Sequence, residues 1–188
     1  MSFKKIFLLT LLLTFSFLYA QVRVVGDLGG KWKATVMGFA SEYDTKFGLT
    51  VGYDHMLNDM LGVGAEHQLK REITENNDGG GGKFGFTSVY GVAKYNPGNV
   101  PGFPKGIYGF ARAGYALVHS GDTTYGEGID LKGGLMFGLG AGFKLNDNLS
   151  LEGGYYSNAG TGSVSEDGMT IEMDVTYTRV NAALVYSF

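Results

Sequence analysis

The 188-residue chain has no cysteine, three prolines, three histidines and a single tryptophan. Without cysteine there is no disulfide framework, and no Cys at position 21 to take a lipid anchor. Charged residues make up 18% of the chain, against about a quarter in ordinary domains. After residue 19 there is no long apolar run, so any membrane crossing must be made of strands. The three prolines, Pro97, Pro101 and Pro104, all fall in one connection, which therefore cannot be a strand interior.

What is abundant points elsewhere. Glycine occurs 32 times and aromatics reach 14%. The glycines lack a collagen period, and an apolar content of 44% is too high for a disordered chain. Many short alternating segments, separated by Gly, Asn and Asp clusters, remain as the pattern, and the length suits one domain. This is an all-β signature.

Residues 1–20 read as a cleaved signal peptide. Lys4 and Lys5 precede an apolar run, Ile6 to Tyr19, too short for a permanent helical span, and Ala20 offers a small residue before the cut. Removing this leader takes Lys4 and Lys5 from the 15 basic residues and none of the 18 acidic ones. The mature domain, 21–188, is thus mildly acidic, which argues against a nucleic-acid partner.

Alternation of period two marks the strands. After a Gly-interrupted lead (21–31), either a short approach or a bent strand start, they are expected at 32–40, 46–54, 61–70, 83–95, 107–119, 129–145, 149–157 and 169–188. Their facing is ambiguous in the first strand. In the fourth, Phe84, Phe86, Tyr90 and Val92 are taken as the apolar side. The sixth is the clearest, with Leu135, Phe137, Leu139 and Phe143 opposite Gly134, Gly138, Gly140 and Gly142. Polar connections are expected at Ser41–Thr45, Glu72–Gly82, Ser120–Glu127 and Asn158–Gly168, and a tight turn at Asn146-Asp147-Asn148.

Eight strands joined as hairpins with unequal connections fit an eight-stranded antiparallel up-and-down transmembrane β-barrel. A soluble lipocalin-like binding barrel would place the apolar stripe inside and the polar stripe in water. Here the polar stripe is mostly glycine with few mid-strand charges: Glu66, Arg112, Lys132, Glu152 and Arg179. Turning those toward lipid would cost about 2–4 kcal/mol for each Arg or Lys near the midplane. Inside a narrow lumen they can pair as an ion network that closes it.

The chain ends Asn181, Ala183, Tyr186 and Phe188 in the positions of a polar-x-Gly-x-x-aromatic-x-aromatic signal, with Ala in place of Gly. With the eight alternating segments, this resembles the small eight-stranded outer-membrane proteins of the OmpA and OmpX type. The resemblance implies a cell outer membrane location and contact with outer-membrane lipid and lipopolysaccharide. It also implies recognition of the C-terminal strand by the barrel assembly machinery. It says little about activity.

Chemistry is sparse. His119 and Ser120 are neighbours on a strand and face opposite ways, so they cannot share a proton. His67 falls on the lipid side of its strand. Lipid A deacylase barrels carry a His-x-Ser spacing that this chain lacks. Asn76, Asn77 and Asp78, or Asp122 with Glu127, lack calcium-loop spacing. Gly79 to Gly82 precede no Lys-Ser or Lys-Thr, so they form no phosphate loop. Trp32 is expected in an interfacial girdle. No cofactor is expected. The leading expectation is a non-enzymatic barrel whose outer loops meet a host or surface ligand. The alternatives are a lipid A-modifying enzyme using His67 or His119, and a soluble binding barrel.

Overall fold

The computed structural model describes residues 19–74, 82–98, 100, 103–123, 129–166 and 169–188. Ten strands are formed: β1 (Ala20–Val36), β2 (Phe39–Thr45), β3 (Gly48–Met56), β4 (Leu61–Gln68), β5 (Arg71–Glu72), β6 (Gly82–Tyr95), β7 (Ile107–Thr123), β8 (Ile129–Lys144), β9 (Leu149–Glu166) and β10 (Met169–Ser187). β2 and β3 are one wall strand interrupted at Lys46–Phe47, and β4 and β5 another. Each wall strand pairs antiparallel with its sequence neighbour, and β10 returns to β1 from Gln21↔Ser187 to Val36↔Met173. The sheet is therefore an eight-membered ring.

The wall is inside out relative to a soluble barrel. Leu139 is 66% exposed on the outside, with Leu135, Phe137, Leu151, Tyr155, Val180 and Leu184 around it, while Arg112 is 1% exposed within. β8 runs as its alternation dictates, and its inward glycines make room for large side chains of neighbouring strands. A Cβ at Gly138 would lie 2.5 Å from the Tyr156 ring, and one at Gly52 would lie 2.7 Å from the Arg23 guanidinium. The glycine stripe is thus the complement of the lumen's contents.

Two base turns repeat one design. In Leu57-Asn58-Asp59-Met60-Leu61 and Leu145-Asn146-Asp147-Asn148-Leu149 the first Leu N–H donates to the last Leu carbonyl at 2.8 Å. In each, the Asn side-chain oxygen accepts from two following backbone N–H groups. Asn in this role mimics a backbone turn and needs no glycine.

Several expected facings and boundaries are corrected. The first strand runs from Ala20 and bends at a bulge between Asp27 and Gly29, so the bent-start reading of the lead applies. The chain reverses at Met37–Gly38, within the strand expected at 32–40, and Ser41–Thr45 lies in β2 instead of a loop. Met37 (φ 49°) and Gly38 (φ 86°) both adopt left-handed backbone, the twist that a two-residue hairpin turn requires. Asn suits this conformation better than Met, so Met37→Asn is expected to stabilise the folded barrel by about 0.5–1 kcal/mol, read from denaturant midpoints in lipid vesicles. Asn158–Glu166 is strand, not loop, as is Ser120–Thr123. Residues 75–81, 124–127 and 167–168 of the expected loops lie outside the described residues.

Facing is also reversed in two places. Phe84, Phe86, Tyr90 and Val92 point into the barrel, because Phe84 and Phe86 pack on Trp32 and Tyr177 inside. Trp32 is likewise buried, so it is no girdle residue. Above the apolar belt the β1–β2 hairpin carries charge on its outer side. There the Lys31 ammonium hydrogen-bonds Glu42 and holds its carboxyl below the ordinary range.

Candidate functional site

The lumen is occupied by charge. Its ions form one chain of alternating sign: Arg71, Asp27, Arg179, Glu66, Arg23, Asp54, Arg112, Glu152 and Lys94. Arg179 reaches Glu66 at 2.5 Å, and Arg23 bridges Glu66 at 3.1 Å and Asp54 at 3.3 Å. Arg112 contacts both Asp54 and Glu152 at 2.9 Å, and Lys94 closes on Glu152 at 3.1 Å. Among the described side chains, β8 alone of the eight ring strands supplies no member. Its glycines instead accommodate Tyr156, Phe110 and Tyr108.

Buried ions persist only when paired and hydrogen-bonded, and tyrosines supply further partners. Tyr90 donates to Asp54 at 2.8 Å, Tyr108 donates to Glu152 at 3.0 Å, and Tyr156 and Tyr177 accept from Arg112 and Arg71 at 2.5 Å. The Arg112 guanidinium also lies 4.3 Å from the Phe110 ring centroid, where the ring's negative face favours a cation. Beyond this layer, toward the β1–β2 hairpin, the lumen is filled by Trp32, Phe84, Phe86, Met136, Val175 and Tyr177. On the opposite side, Lys94 meets an open vestibule of about 770 Å³ between the two base turns, lined by Gln21, Asp59, Lys105, Lys144 and Asp147 among others.

Of the charges expected to meet, Glu66, Arg112, Glu152 and Arg179 are in this chain. Lys132 is exposed and outside it. The bulge at Gly133–Met136 inserts a residue into β8 and inverts the facing beyond it, turning Leu131 inward and Lys132 out. Sequence reasoning missed Arg23, Asp27, Asp54, Arg71 and Lys94. Asp54 stood on the polar face of its strand, and Arg23 and Asp27 share a parity in the lead, which was the available signal. Asn181 and Ala183 face inward, while Tyr186 and Phe188 face out and pack edge to face at 5.1 Å.

The remaining candidates disperse, with one exception. Asn76, Asn77, Asp78 and Glu127 lie outside the described residues, and Asp122 sits in β7. Among the described residues no three His, Asp or Glu side chains converge on a metal position. His67 and His119, however, lie on the outer wall with stacked rings 5.0 Å apart.

An apolar exterior, a closed antiparallel ring and paired ions within define a transmembrane β-barrel of the small outer-membrane, OmpA and OmpX, architecture. No protein-family model and no curated protein matches the sequence. Among solved structures the chain is similar to Neisserial surface protein A, at 13% identity and TM-score 0.54, over 90% of this chain and 97% of that one. It is similar to the outer membrane protein OprG from Pseudomonas aeruginosa, at 12% identity and TM-score 0.52 over the same shares. It is also similar to the outer membrane protein AlkL in DMPC lipid bilayers, at 13% identity and TM-score 0.52 over 90% of each chain. Identities this low speak to the fold alone.

Proposed function

We propose that the protein is a non-enzymatic barrel of the cell outer membrane whose lumen is closed by its ion network. Its role is structural or one of surface interaction. The observation that carries this reading is the alternating chain from Arg71 to Lys94, set beneath an aromatic plug. A route for water along the axis would have to break several buried ion pairs at once, each costly to separate. The expected result in planar bilayers is no steady open channel from purified protein. Large, persistent conductance would refute the closed lumen.

The described parts of two hairpins support the surface role. β1–β2 and β9–β10 continue past the apolar belt, with Lys31, Lys33, Glu42, Asp44, Glu172 and Asp174 on their outer sides, and they offer a charged wall to a host or surface ligand. The leader is proposed to end at Ala20, where β1 starts, and the mass of the mature protein tests that cut. Tyr186 and Phe188, outward on the last strand, are proposed as the part of the assembly signal read by the barrel assembly machinery.

A second reading, a lipid A-modifying enzyme, is favoured by one contact: His67 Nδ1 lies 2.9 Å from Thr87 Oγ1 on the outer wall. A base beside a hydroxyl is the start of a nucleophilic pair. The mass of lipid A from expressing cells decides between the two. An unchanged mass supports the non-enzymatic barrel, and a shift lost in His67→Ala supports the enzyme.

A further inference from the structure

The outer wall of β4, β6 and β7 carries a feature that neither a closed lumen nor a surface ligand uses. His67 on β4 and His119 on β7 flank β6, which presents Gly85 and Thr87 between them. Gly85 is what permits the arrangement. A Cβ there would collide with the His119 imidazole and lie 2.6 Å from the Gln68 carbonyl. Across this gap the two rings stack at 5.0 Å and 17°. His67 is tied to Thr87, while Nε2 of His119 is shielded and has no hydrogen-bond partner.

Among the described side chains, the charges around the pair are predominantly positive. Lys70 is exposed just past the end of β4, three residues beyond His67. Lys46 and Lys83 both pair with Glu72, just beyond it on β5. On the β10 and β1–β2 side the balance reverses, with Glu42, Asp44, Glu172 and Asp174 against Lys31 and Lys33. The basic patch is also placed by depth. Toward the base on the same three strands are Val63, Val89 and Leu117, all exposed on the apolar belt, and toward the rim are Lys70 and Lys83, so it lies where hydrocarbon gives way to headgroups.

The geometry points to a headgroup-binding site on the outer wall, in which His67, Thr87 and Lys70 hold the phosphate of a membrane lipid, His119 backs the His67 ring, and the acyl chains lie along Val63, Val89 and Leu117. Imidazole and hydroxyl groups supply donors, and Lys70 supplies the charge that makes such hydrogen bonds strong. A lipid is the source, not free phosphate, because the site is continuous with the surface that contacts acyl chains. The inference rests on the membrane-barrel reading above and extends it to a particular lipid contact.

The test uses the full chain refolded into phosphatidylcholine nanodiscs containing increasing fractions of phosphatidic acid, with the imidazole resonances followed by NMR. The His67 and His119 signals are expected to move together and to saturate. Glycerol 3-phosphate at matching concentration is expected to leave them in place. Lys70→Ala is expected to weaken the response on the order of tenfold, the loss of about one charge-assisted hydrogen bond, and Gly85→Ala, which displaces the His119 ring behind His67, is expected to weaken it as well. Heat-modifiability on a gel confirms that each variant is folded. Lys70 is exposed, so its variant remains informative if Gly85→Ala does not fold. Static signals with phosphatidic acid, or Lys70→Ala responding as the parent does, would overturn the site. An equal response to glycerol 3-phosphate would overturn the lipid as its occupant. Failure to enter nanodiscs would instead refute the membrane-barrel reading.

Discussion

Arg112→Met is expected to lower the stability of the folded barrel by roughly 3–5 kcal/mol, the usual loss when one member of a buried ion set is removed. Arg112 is buried and holds Asp54, Glu152 and Tyr156 together. Methionine preserves much of the volume but leaves two carboxylates facing each other with a cation missing. Urea unfolding in lipid vesicles, followed by fluorescence of the single Trp32, measures the effect. Because the cost comes from stranded charge, Arg112→Met combined with Glu152→Leu should recover a substantial part of the loss, and a double-mutant cycle isolates that coupling. A single variant within 1 kcal/mol of the parent would show that the lumen ions do not act as a connected set.

Leu139→Arg is expected to destabilise the barrel by about 2–4 kcal/mol, the cost of a cation on the lipid face near the midplane. Leu139 lies on the outer face of β8 midway between Leu135 and Phe143, all exposed and apolar. A charge change on the outer side of the β1–β2 hairpin, Lys33→Glu, is expected to stay within about 0.5 kcal/mol, as surface substitutions commonly do. The comparison is read as the folded, heat-modifiable fraction after refolding into vesicles. Equal tolerance of both substitutions would mean that the Leu139 belt is not in hydrocarbon.

Legibility in the sequence followed the range of the interactions. β8 could be read because Leu135, Phe137, Leu139 and Phe143 alternate with glycines without interruption. β6 misled because its larger apolar residues are the inward ones. Phe84 and Phe86 belong inside through Trp32 and Tyr177, and Tyr90 through Asp54 and Arg23, partners tens of residues away. Lys132 failed for a local reason, the bulge at Gly133–Met136 that breaks parity. Four lumen ions were visible because they stand mid-strand in clear alternation. Arg23 and Asp27 hid in a glycine-broken lead, and Arg71 beyond an interruption of its strand. The His67–His119 contact joins positions that only the curvature of the wall and a glycine on the intervening strand bring together.

The pairing of β1 with β10 has a consequence for synthesis. The segments that seal the ring are the first and last of the barrel to leave the ribosome, and their register runs from Gln21↔Ser187 to Val36↔Met173. Until the final strand has been delivered, the nascent sheet has two raw margins and an uncovered set of ions. The cylinder therefore cannot form progressively from its N-terminus; it must be kept from sticking to other chains and then zipped shut in one late event.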